Sequence, residues 1–286
     1  MDRFQNIKKN LLRIAEEDPD IKAVVLIGSS TRNTLAADEY SDLDVVIVTD
    51  NTEKWLYGDY PGQLGKMKIS FTEPALGGGK ERRILYDESL DVDMIIFTPA
   101  QFETAVIDGV ASEVMNRGYV IMYDAGAYSE LLGRHVSHEI MPRNLLEQEF
   151  INMVNDFFFH TVWAAKKILR GELWTAKMCI DAYLKNYLLN IIEMYSASKN
   201  HVDVWHDGRF LDRWAEKEIV EDLKKCFAHY NKEDMTAAIF FTAQLFGRLA
   251  SQTAELKGYF YPKDVEDYAK ELLNMYFAWP GTGRKI

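Results

Sequence analysis

The sequence predicts an α+β protein: a short mixed β-sheet with flanking helices in the N-terminal half, then a C-terminal bundle of helices. Three observations carry that expectation. Apolar, β-branched runs of strand length recur between residues 23 and 123, separated by Gly, Pro and charged residues. From about Leu145 onward the apolar positions follow helical spacing instead. Between the halves, Ala125 to Arg143 gathers Gly126, Gly133 and Pro142, so the domains are expected at 1–130 and 145–286 with a linker over 131–144.

Taken in order, Phe4, Ile7, Leu11 and Ile14 share one face of a helix over 2–17, which Asp18-Pro19-Asp20 stops. Ala23 to Ile27 is a buried strand ending at Gly28, and Val45 to Val48 is a second; Thr31 to Tyr40 reads as a short helix and polar loop. Thr52 to Gly58 adds a turn of helix with Trp55 packed on the sheet. Lys66 to Phe71 is a strand, and Glu73 to Lys80, with Pro74 and three successive glycines, is a mobile connector. Arg82 to Tyr86 and Val92 to Phe97 make an antiparallel pair, Pro99 opens a helix reaching about Asp108, and Tyr119 to Tyr123 is the last strand. Helices follow at Leu145 to Leu169, Leu173 to Tyr195, Phe210 to Ala215, Lys217 to His229, Lys232 to Leu256 and Lys263 to Phe277. The second of these is apolar on most faces, as a helix at the centre of a bundle should be.

Composition narrows the function classes. At 286 residues and 48% apolar, the chain has room for two domains with substantial cores. It holds no run of about 18 apolar residues, and Met1-Asp2-Arg3-Phe4 begins an amphipathic pattern instead of a signal peptide. A cytoplasmic protein with no membrane partner is expected. Cys179 and Cys226 both fall in helical stretches and imply buried thiols, with no disulfide framework or zinc site. Acids outnumber bases 44 to 33, a formal charge of −11, which speaks against a broad nucleic-acid interface. The same charge favours a small cationic partner, and it also serves solubility.

The chemistry concentrates in Val24 to Thr49. Side chains alternate along a strand, so Asp42 and Asp44 project together while Leu43 turns into the core. Two carboxylates in one small volume repel unless a cation joins them, and oxygen ligands with little His or Cys nearby suit Mg²⁺. Gly28 lets phosphate approach the backbone, Ser29 offers a hydroxyl, and a helix starting there would favour negative charge. A two-metal displacement wants a further acid, for which Asp93, opening the strand Asp91-Val92-Asp93-Met94-Ile95-Ile96-Phe97, is the choice; Asp91 shares its parity and is the alternative.

Gly-Ser, twelve residues, Asp-x-Asp and a later strand acid together resemble the DNA polymerase β-like nucleotidyltransferase superfamily. Glu149 to Lys177, Trp205 to Trp214 (WHDGRFLDRW) and Gly258 to Asp264 (GYFYPKD) are similar to segments of the aminoglycoside 6-adenylyltransferases, the streptomycin-modifying branch. The resemblance runs to about Phe277. Near the glycine that family usually reads Gly-Ser-Arg-Thr-Asn, whereas this chain has Gly28-Ser29-Ser30-Thr31-Arg32-Asn33, which displaces the arginine by two positions. The resemblance implies transfer of AMP from Mg–ATP to a hydroxyl of a cationic acceptor held between the two domains, streptomycin first, with release of pyrophosphate. Asp42, Asp44 and Asp93 would hold metal, Asp93 would also help deprotonate the acceptor, and Gly28, Ser29 and Arg32 would meet phosphate. By the same resemblance a bundle lysine, Lys185, would neutralise the departing pyrophosphate; by spacing alone Lys177, Asp181 and Lys185 read as a salt-bridging helix face. Alternatives are nucleotidyl transfer to another small molecule, a protein or an RNA end, and a non-catalytic, antitoxin-like nucleotide-binding module. Glu147 and Glu149 read equally as cleft acids and as helix-dipole partners, and His135, His138 and His160 as structural histidines.

Overall fold

Ile21–Ile27 (β1) and Leu43–Thr49 (β2) are buried at nearly every position, as strands covered on both faces must be. They pair antiparallel at the centre of a six-stranded sheet. The computed structural model describes residues 2–32, 37–137, 145–204 and 206–277 of the chain, in two compact units, Met1–Met141 and Pro142–Ile286.

In the first unit the hairpin strands Met67–Pro74 (β3) and Lys80–Tyr86 (β4) precede Leu90–Phe97 (β5), and Val120–Asp124 (β6) closes the sheet. The order is β3-β4-β5-β2-β1-β6, with β2 and β5 parallel and the other neighbours antiparallel. The mixed sheet expected from the sequence is confirmed. Strand alternation then sorts two cores. Val24, Leu26, Val45 and Ile47 face Ile7, Leu11 and Ile14 of helix Gln5–Glu17 (α1), together with Trp55 of the short helix Glu53–Leu56 (α2). Ala23, Val25, Val46 and Val48 face the opposite way, against Phe102 and Val106 of Pro99–Ile107 (α3), Met115 of Ser112–Met115 (α4) and Leu132 of Tyr128–His135 (α5). Each such fully buried Leu, Ile or Phe contributes about 1.5–3 kcal/mol. Thr98 and Gln101 form a reciprocal capping box with Pro99 in the first turn, so α3 starts where the sequence places it.

Two local features differ from expectation. Gly28–Thr31 is a single 3-10 turn, and the short helix and polar loop expected over 31–40 run through residues 33–36, which lie outside the described residues. The stretch expected to begin the linker contains α5, whose start is fixed by Asp124: its carboxylate accepts from the backbone N–H groups of Tyr128 and Ser129.

The second unit is built from Glu147–Leu169 (α6), Leu173–Met178 (α7), Leu184–Asn200 (α8), Leu211–Trp214 (α9), Lys217–Leu223 (α10), Lys232–Lys257 (α11) and Lys263–Tyr276 (α12). Its core joins α6, α8 and α11, where Phe157 stacks on Phe246 with ring centroids 3.6 Å apart. Residues 173–200 are not one regular α-helix: Cys179–Tyr183 forms a π turn between α7 and α8. The helix expected to run to His229 gives way to a 3-10 turn at Lys224–Cys226, and Phe227 is extended. That extension leads to Asn231, which caps α11 by accepting from Asp234 N. Both cysteines are buried, and no described helix is long and apolar enough to cross a membrane.

Candidate active site

Register brings the acids together. β2 and β5 run parallel with Asp44 level with Asp93, and Asp42 stands immediately before β2, two residues ahead of Asp44. One carboxylate oxygen from each of Asp42, Asp44 and Asp93 lies within 4.8 Å of the others. Leu43 between the first two is fully buried, as strand alternation requires. Asp91, the alternative to Asp93, is exposed one pleat away and lies outside this group; burial and Asp42 raise its pKa.

Gly28 ends β1 directly beside Asp44. It has φ +72°, and a Cβ placed there would lie 1.8 Å from Asp44 Oδ2. The glycine therefore serves two needs at once, a left-handed backbone and room for the carboxylate. Ser29 Oγ reaches the carbonyl of Asp42 at 3.5 Å, and Ser30 Oγ donates to Ile27 O at 3.3 Å. Thr31 Oγ1 bonds to Gly28 O at 3.0 Å and Gly118 O at 2.9 Å, pinning the turn to the residues that enter β6. Arg32 follows in extended conformation, half-buried. Because the turn is 3-10 and only four residues long, the expected helix N-terminus does not form here. Any phosphate contact at this turn falls to the bare backbone, Ser29 and Arg32.

Asp93 is the most enclosed of the three acids, at 8% exposure. Burial pushes its carboxyl up to about 7; the Arg83 guanidinium opposes that rise, while Glu81, Asp44 and Asp91 add to it. Arg83 stands opposite Asp93 across the β4–β5 pair, with Nη2 3.7 Å from Asp93 Oδ2, and its Nε is shared by Glu73 and Glu81 at 2.8 Å each. A three-carboxylate set without His or Cys, one member desolvated, has the chemistry of a site for a hard divalent cation. Sequence reading passed over Arg83, Glu81 and Glu73 as site neighbours. The signal is the shared parity of Glu81 and Arg83 on β4, with Glu73 level with Glu81 on β3, and it acquires meaning only with the strand registers.

Lys185 belongs to the helical unit. Its side chain, 10% exposed, donates to Ile180 O and Thr242 Oγ1 at 3.0 Å each and stands 3.9 Å from Asp181. Burial lowers its pKa to about 8. Lys177 completes the expected stripe by pairing with Asp181. Glu149 accepts from Leu146 N at 2.8 Å and Glu147 from Phe260 N at 2.8 Å, so both work at the start of α6. Trp205 and His138 lie outside the described residues.

Known proteins resemble the chain over nearly its whole length. The family described as streptomycin adenylyltransferase matches residues 1–275. An aminoglycoside 6-adenylyltransferase of Bacillus subtilis (strain 168) is 21% identical over 284 residues, covering 95% of this chain and 97% of the relative. Among solved structures, an aminoglycoside 6-adenyltransferase from Bacillus subtilis is 16% identical with a TM-score of 0.47, covering 97% of this chain and 100% of its own. A nucleotidyltransferase-like protein from Exiguobacterium sibiricum 255-15 is 10% identical with a TM-score of 0.34, covering 88% and 78%.

Proposed function

The chain belongs to the streptomycin adenylyltransferase family of nucleotidyltransferase enzymes, and from that premise we propose that it transfers AMP from Mg–ATP to a hydroxyl of an aminoglycoside. Streptomycin is the leading acceptor. The observation that carries the reading is the meeting of Asp42, Asp44 and Asp93 beside Gly28. The acceptor class is supported by the name of the Bacillus subtilis relative, and the choice of streptomycin by the description of the family.

In the proposed reaction the acceptor oxygen bonds to the α-phosphorus while the bond from that phosphorus to the oxygen bridging the β-phosphate breaks, so pyrophosphate leaves. Asp42, Asp44 and Asp93 would hold the cation, and Asp42 and Asp44 would thereby set where the triphosphate lies. Mg²⁺ bound there would neutralise charge on the phosphates and on the departing pyrophosphate. Gly28 presents bare backbone to the phosphates, with the Ser29 hydroxyl and the Arg32 guanidinium beside it. The proton of the attacking hydroxyl is assigned to Asp93. Alignment and charge neutralisation supply the rate, with no covalent enzyme intermediate.

The test is mass spectrometry of the protein incubated with Mg–ATP and a panel of aminoglycosides including streptomycin. An AMP mass addition to an aminoglycoside is expected with wild type and should be lost with Asp44→Asn. Near-normal turnover by Asp44→Asn would sink the metal assignment, and no addition to any member of the panel would sink the acceptor class.

A further inference from the structure

Two arginines stand side by side on β4 and are used in different ways. Strand alternation turns them to opposite faces of the sheet. Arg82 commits its donors to the fold: Nε to Ser70 Oγ at 3.0 Å, and Nη1 to the carbonyls of Trp55 at 2.9 Å and Gly58 at 3.1 Å. Arg83 has its Nε 2.8 Å from both Glu73 Oε1 and Glu81 Oε1. Among the described residues its one hydrogen bond runs from Nε to Glu81, and Nη2 stands 3.7 Å from Asp93 Oδ2. The Arg83 side chain is 45% exposed. Two acids therefore anchor the guanidinium at its base, while its fork of Nη donors stays uncommitted beside the three clustered carboxylates.

Register says what that fork faces. Ile27 pairs with Asp44, Asp44 with Asp93, and Asp93 with Arg83. Gly28, the residue after Ile27, and Arg83 thus close the two ends of one row across β1, β2, β5 and β4. The acids lie between them, and the row covers three strand spacings, about 14 Å. All of these residues belong to the sheet unit. A polyphosphate whose far end meets the Gly28 turn brings its reacting phosphoryl group toward Asp93, next to Arg83.

We propose that Arg83 is a further catalytic residue, whose Nη donors bind the non-bridging oxygens of the α-phosphoryl group. This rests on the adenylyl-transfer reading above, in which Asp93 takes the proton of the attacking hydroxyl and the α-phosphorus lies beside it. In phosphoryl and nucleotidyl transfer the gain comes from stabilising charge spread over the oxygens of the transferred group. A planar fork meets two such oxygens at once, which an ammonium cannot do. Because Glu73 and Glu81 hold Nε, the fork is aimed before nucleotide arrives and needs little reorganisation during reaction.

Calorimetric titration of the full chain with α,β-methylene-ATP, and separately with pyrophosphate, each with Mg²⁺, tests the assignment. The first ligand contains the α-phosphoryl group and the second lacks it. Arg83→Gln should weaken the ATP analogue by about ten- to a hundred-fold, the loss of one charge-assisted contact, and leave pyrophosphate affinity unchanged. It should lower kcat for AMP transfer and leave the acceptor KM in place. Arg83→Lys keeps the charge without the fork and should fall between wild type and Arg83→Gln in both measurements. Arg82→Gln is the structural comparison: it should lower Tm and leave analogue affinity in place. Equal weakening of both ligands by Arg83→Gln would mean that Arg83 acts through Asp93 or the fold, and it overturns the proposal. Unchanged analogue affinity, or unchanged kcat, does so too. Arg83-dependent binding of the analogue with no AMP transfer to any aminoglycoside would instead overturn the acceptor class and leave the Arg83 contact standing. Wild type that binds neither ligand overturns both readings.

Discussion

Gly28 shows how tightly one residue can constrain the candidate site. Its φ of +72° and the 1.8 Å that would separate an added Cβ from Asp44 Oδ2 are independent objections to any side chain. Gly28→Ala should therefore cost about 1–3 kcal/mol of stability. It should also displace Asp44, lowering kcat/KM by about a hundred-fold or more, as small misplacements at reacting centres do. Thermal melts and steady-state kinetics on the same preparation check both, and a variant with wild-type activity would remove Gly28 from the site. At this scale the sequence was informative wherever strand parity alone decides. Asp42 and Asp44 share a face because they are two residues apart, and Asp93 opens an apolar strand as Asp44 nearly does. Choosing Asp93 over Asp91 needed the parallel register with β2, and recognising Arg83 needed the antiparallel register with β4. Register depends on pairing between distant segments, which no local pattern encodes.

Among the elements, the broad helices and strands are legible because their apolar periods are long and regular, while the turns that interrupt them are not. A helix apolar on most faces gives no sign of one extra residue in a turn, so the π turn at Cys179–Tyr183 was invisible in the sequence. The Gly28 turn resembles the start of a helix in the sequence because glycine followed by Ser and Thr is also a helix-start pattern. Lys185, just beyond the π turn, tests the element energetically. Burial sets its folded pKa at about 8 against the ordinary lysine value of 10.5. Below pH 8 both folded and unfolded chains carry the charge, and the folded state bears the full cost of burying it. Between about 8 and 10.5 the unfolded chain binds the extra proton, so stability from this residue rises with pH. Relative to Lys185→Met, wild type should therefore gain on the order of 3 kcal/mol across that window. Denaturant melts of both proteins at pH 8 and above would reveal it, and parallel pH profiles would mean that the ammonium is not desolvated as the structure has it.

For the molecule as a whole, the candidate site works against the stability of the fold that holds it. Three carboxylates converge at the sheet centre of a chain already carrying −11, and Asp93 is buried there with its pKa raised from 3.8 to about 7. In metal-free protein this group is protonated in both states well below pH 3.8 and then costs nothing. As pH rises toward 7 the unfolded chain releases the proton first, so the folded protein loses stability over that window, and above 7 it carries the whole cost of the buried charge. Asp93→Asn should raise Tm at neutral pH in EDTA, by the equivalent of about 1–3 kcal/mol, and flatten that part of the pH profile while abolishing AMP transfer. Millimolar Mg²⁺ should stabilise wild type, because a ligand held by the native state alone shifts the folding equilibrium toward it, and should do much less for Asp93→Asn. Equal Mg²⁺ stabilisation of both proteins would place the cation elsewhere. A more stable but inactive Asp93→Asn would mean that the carboxylate is kept for chemistry at the expense of folding.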